Sequence, residues 1–125
     1  ADRRAGGAID EIRKESPNET MVTRSRAALI LPHRRLRCLL TRQLPHGLSL
    51  GPSAPRAWAS ANFVGARHLF RCTFAAGEAE ALRAALDARL GGAEWRLPGH
   101  FVADTAVRLA ADDRALQIEI LTIED

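Results

Sequence analysis

His100, Asp104 and Arg108 stand four residues apart in the stretch H-F-V-A-D-T-A-V-R. A histidine beside a carboxylate is the pairing used for general-base chemistry or metal ligation. On a strand the three would share a face, but Cα atoms four residues apart lie about 13 Å from one another. Without a strong bend the imidazole and the carboxylate do not meet. His100 and Asp104 are therefore weak candidates for a polar site, and an ordinary polar sheet face is the simpler reading.

The other metal-ligand types are His33, Cys38, His46, His68 and Cys72. Their spacings close no zinc pattern. His68 and Cys72 alternate with Phe70 and Phe74, so core packing is their simpler role. No metal and no cofactor is expected. The G-G and P-G pairs read as turns rather than as a phosphate loop. Ser49, Ser53 and Ser60 sit in no nucleophile elbow. No residue is assigned as catalytic, and the chain is not expected to be an enzyme.

The strongest chemical signal is cationic. Arg34, Arg35, Arg37 and Arg42 fall on one helical segment, a pattern suited to phosphate contacts. Single-strand binding usually adds stacking rings, and there are none between Met21 and Arg56. A solvated face, or one turned toward the chain's acidic half, is the plainer alternative, and an anionic membrane surface is a further one.

The charge distribution sharpens this. Of the 18 basic residues 17 are arginine, a bias that reflects a GC-rich genome. From Thr20 to Ala76 there are nine Arg and no acid, a segment of +9, whereas residues 77–125 hold ten acids and five Arg, giving −5. Two distant cysteines form no disulfide framework, which points to a reducing compartment. No apolar run approaches the roughly 18–20 residues of a membrane span.

Residues 1–20 read as a short polar helix, with Ala8, Ile9 and Ile12 on one face and Ser16-Pro17-Asn18 as its stop. It is either a docking helix or foreign sequence ahead of Met21. The acid-free 21–60 segment has the manner of a mitochondrial presequence. Read instead as structure, Ala27–Leu31 is a short strand ending at Pro32. Leu36, Leu39, Leu40 and Leu44 then form the apolar stripe of a helix from His33 to Leu44, which Pro32 and Pro45 flank. Pro45–Arg56, with three Pro and two Gly in twelve residues, reads as a linker.

The C-terminal half is more regular. Asn62–Phe74 alternates as a strand, with Val64, Ala66, His68, Phe70, Cys72 and Phe74 on one face. Gly77–Leu90 is a helix whose stripe is Leu82, Leu86 and Leu90 with Ala79 and Ala85, and Gly91-Gly92 end it. Phe101, Ala103, Thr105, Val107 and Leu109 alternate along another strand. Ala111-Asp112-Asp113 turns into the last one, R-A-L-Q-I-E-I-L-T-I-E, apolar on both faces and hence central.

The expected fold is α+β: a two-layer split β-α-β, a ferredoxin-like half of order β-α-β-β over residues 57–125, with a basic N-terminal extension and linker over 1–56. Its sheet order is first, third, second. Phe63, Leu69, Leu121 and Ile123 would then crowd the face opposite the helix and need cover, as an interface. The expectation is a non-enzymatic binding, regulatory or assembly module working through a homodimeric or partner-covered sheet face. The alternative is a small nucleic-acid-binding protein using the Arg-rich 24–42 segment. The expected location is cytoplasmic, or mitochondrial if 21–60 is a presequence.

Overall fold

The central element is the last strand, and the rest of the sheet is laid beside it. A computed structural model describes residues 26–75, 77–112 and 114–125. Helix α1 is Arg26–Gln43, strand β1 is Leu48–Ala59, β2 is Val64–Phe74, helix α2 is Ala79–Gly91, β3 is His100–Leu109 and β4 is Ala115–Glu124. The four strands form one antiparallel sheet in the order β1-β2-β4-β3. The expected order of the last three strands, with β4 between β2 and β3, is the one observed. The predicted helix at 1–20 lies outside the described residues.

Three expectations need correction. The linker is a strand: β1 runs through Pro45–Arg56 territory, pairs with β2 from Leu48↔Phe74 to Ala59↔Val64, and contains the expected boundary at 56. Its composition misled because an edge strand tolerates what a central one does not. Pro52 lies in the irregularity between Leu50 and Ser53, and Pro55 lies on the outermost strand, where a missing donor is cheap. The edge of β2 is thereby covered by this chain itself.

Second, Ala27–Leu31 is the first part of α1 rather than a strand, and Pro32 lies inside that helix. Short apolar runs do not distinguish the two states, and the stripe begun at Leu36 continues N-terminally. Third, the alternation predicted for β3 breaks at Ala103, where the register shifts between Val102 and Asp104. Phe101 consequently lies on the opposite face from Thr105 and Val107.

The core lies between the sheet and the two helices. Leu36 and Leu40 of α1 and Leu86 and Leu90 of α2 pack on Phe70, Cys72, Val107, Leu116, Ile118 and Ile120. In α2 the expected stripe holds at Leu82, Leu86 and Leu90, but Ala85 is exposed. A second, smaller cluster forms on the opposite face, from Trp58, Ala103, Leu121 and Ile123 with Phe63 and Phe101 against them. It requires close strands: a Cβ on Gly65 would collide with the Thr122 carbonyl oxygen. Among the described residues no helix is long and apolar enough to cross a membrane.

Candidate functional site

Strand pairing arranges the face opposite the helices in rows. At one end Trp58, Gly65, Ile123 and Phe101 are neighbours, and the next row holds Arg56, Arg67, Leu121 and Asp104. Then come Ala54, Leu69, Glu119 and Ala106, and finally Arg71, Gln117 and Arg108. The aromatic end is filled. The other end is an open trough of about 490 Å³, bounded by Ala54, Leu69, Arg71, Gln117, Glu119 and Arg108.

Ala54 and Ala106 flank the Leu69–Glu119 row by register, and Ala54 lines the trough. Leu69 is 40% exposed at its base. Arg67 holds Glu119 in an ion pair, and Arg71 holds Asp112 at 3.0 Å. Arg108 is exposed, and its side chain makes no hydrogen bond or ion pair among the described residues.

The four residues expected to need an external cover are thus not alike. Leu121 and Ile123 are 5% and 1% exposed and pack in one cluster with Trp58 and Ala103. Phe63 is half-buried against that cluster. Only Leu69 belongs to the open trough.

The second constellation is buried between α1 and the sheet. His33 and His68 meet Nδ1 to Nδ1 at 2.9 Å, with rings nearly parallel at 12°, and His33 stacks on Phe70. His33 Nε2 lies 2.9 Å from Ser53 Oγ, and His68 Nε2 lies 2.8 Å from Thr122 Oγ1. Arg37 Nη1 donates to the Gly51 carbonyl at 2.8 Å and to Ser53 Oγ at 2.9 Å. Thr122 Oγ1 donates to the Ala66 carbonyl at 3.5 Å.

One assignment of protons satisfies every member. Arg37 donates to Ser53, whose hydroxyl donates to His33 Nε2. His33 Nδ1–H donates to His68 Nδ1, and His68 Nε2–H donates to Thr122. Both imidazoles are then neutral. Burial, with His33 and His100 nearby, lowers the His68 pKa to about 3, while burial and then Arg37 lower that of His33.

Ser53 and His33 have the spacing of a nucleophile and its base, with His68 where a carboxylate usually stands. The electrostatics oppose that use. A neutral, buried His68 does not stabilise an imidazolium on His33, and Arg37 beside Ser53 disfavours it further. The relay instead pins α1 to β1, β2 and β4 through satisfied polar groups, which leaves one register available to the helix.

The arginines of α1 separate. Arg37 is committed to β1, and Arg35 donates through Nε to the Arg96 carbonyl at 3.2 Å. Arg34 and Arg42 are exposed. Arg35, Trp95, Arg96, Pro98 and His100 border a shallow cleft. The shift at Ala103 places His100 opposite Glu124 and Asp104 opposite Leu121, hence on different faces. They are not brought together, and His100 Nδ1 faces the Pro98 carbonyl at 3.1 Å. Cys38 is exposed, Cys72 is buried with its thiol pushed up by that burial, and both are free. No group of three or more potential metal ligands converges among the described residues.

Sequence reasoning missed the relay because His33 and His68 are 35 residues apart on elements whose contact spacing does not encode. It missed the trough because Pro52 and Ala54, which line it, belong to the strand that reads as a linker. The chain matches no family model, no curated protein and no solved structure.

Proposed function

We propose that this chain is a non-enzymatic binding module that holds a protein partner on its open sheet face. The observation that carries the reading is the trough at Leu69, where an exposed apolar side chain stands beside Ala54 with arginine and glutamine along one side. Leu69 is 40% exposed there amid charged neighbours. Of the two edge strands, β1 resists strand addition, since Pro52 and Pro55 blunt its edge. We also read α1-β1-β2-α2-β3-β4 as a ferredoxin-like layout whose closing helix and strand stand first. The order β1-β2-β4-β3 supports this.

A photo-crosslinking residue placed at Ala54 or Ala106 should give one common adduct, absent from the exposed α2 position Ala84 and abolished by Leu69→Glu. Equal adducts at all three positions would overturn the proposal.

A second reading, nucleic acid on α1, is favoured by one feature: Trp95 supplies beside Arg35 and Arg96 the ring that the basic segment lacks. Against it, Arg37 is turned inward. A salt-dependent mobility shift with generic RNA or DNA, lost on Arg34→Glu with Arg42→Glu, would select this reading.

A further inference from the structure

Resting on the open face as a docking surface, we infer that its occupant is an acidic amphipathic helix of another protein. Charge fixes the sign. Glu119 is paired with Arg67 and Asp112 with Arg71, so within the trough row the positive charge left over belongs to Arg108. Arg71, Gln117 and Arg108 are consecutive neighbours across three strands, placing the two guanidinium-bearing residues about 10 Å apart with an amide between them. A carboxylate entering there meets the Arg108 fork, the geometry in which guanidinium binds it bidentately.

Apolar geometry fixes the rest. Leu69 lies two residues along and two strands across from Arg108, about 12 Å away. A helix presents an apolar residue and an acid on one face at i and i+7 or i+8 at about that separation. Sheets bury their faces against helices or other sheets, and both described helices lie on the other face. A second copy of this chain is disfavoured, because a two-fold contact through the trough brings Arg108 near its own symmetry mate. A small molecule is disfavoured because an open face does not enclose most of its surface.

The test uses the full chain and alanine-based helical peptides of about 18 residues with a leucine stripe flanked by glutamates, by glutamines or by lysines. Fluorescence anisotropy should show the glutamate peptide binding at least about tenfold more tightly than the glutamine one, less so at high salt. Amide shifts should map to Leu69, Gln117 and Arg108. Arg108→Glu, at an exposed position, should reverse the preference toward the lysine peptide. Equal binding of all three peptides at this face, weakened by Leu69→Ser, would overturn the acidic partner and leave the docking surface standing. No binding at the face would overturn both. Sedimentation showing a dimer that Leu69→Ser dissociates would overturn the helix in favour of a second copy.

Discussion

His68 is fully buried, and its neighbours offer it hydrogen bonds but no negative charge. The sign of its linkage follows. Its pKa is about 3 in the folded chain and near 6.5 when exposed, so between those values the unfolded state binds the extra proton. The stability it contributes is complete above about pH 6.5 and is lost as the pH falls toward 3, at about 1.4 kcal/mol per pH unit. His33, also lowered, adds in the same direction. Urea midpoints should therefore fall steeply from pH 6.5 to 4, and a His33→Leu, His68→Leu double variant should show a much flatter profile. Imidazole nitrogen spectra should show His33 protonated at Nδ1 and His68 at Nε2. The opposite tautomers, or a ring of His68 that titrates near 6.5, would refute the relay. Trp58 presents the converse case: its Nε1 is buried with no acceptor among the described residues. Trp58→Phe removes that orphan donor while opening a small cavity, so the two effects nearly cancel and stability should change by less than about 1.5 kcal/mol. Trp58→Ala should cost about 3–5 kcal/mol.

Among the elements, α2 and β4 were readable from periodicity because burial is one-sided in the first and two-sided in the second. Leu86→Ala should accordingly cost about 2–5 kcal/mol by thermal or chemical unfolding. Gln117→Ala, on the exposed row, should stay within about 0.5 kcal/mol. Elements that depend on tertiary context were not readable. Strand β1 carries Gly51, Pro52 and Pro55 and looks like a linker until β2 is beside it. The first part of α1 looks like a strand until Leu36 and Leu40 anchor the remainder. The register shift at Ala103 has no local signature, and with it went the expected company of His100 and Asp104. The cluster that holds Leu121 and Ile123 was unreadable for the same reason, since Trp58, which packs with them, belongs to that misread strand. Gly65 records how close the strands come there: Gly65→Ala should cost at least about 2 kcal/mol, because the new methyl meets the Thr122 backbone rather than a movable side chain.

At the scale of the whole molecule the sheet has two kinds of surface on one face. Around Trp58 the face is closed and contributes to the fold, and around Leu69 it is open. Leu69 and Leu121 therefore make a matched pair of probes, on neighbouring strands and the same face but differing in cover. Leu121→Glu forces a carboxylate into the cluster of Trp58, Ala103 and Ile123, where burial of an unpaired charge costs several kcal/mol. It should lower the urea midpoint sharply and expose Trp58, seen as a red shift of its emission. Leu69→Glu adds a carboxylate to solvent beside Arg71, so its midpoint should stay near that of the parent. Hydrogen exchange should remain slowest at Ile118 and Ile120 of central β4 in the parent and in Leu69→Glu. In Leu121→Glu the protection should fall first along the Ile123 end. Equal destabilisation by the two substitutions would mean that Leu69 contributes to the fold as Leu121 does, and the trough would lose its standing as a surface free to bind.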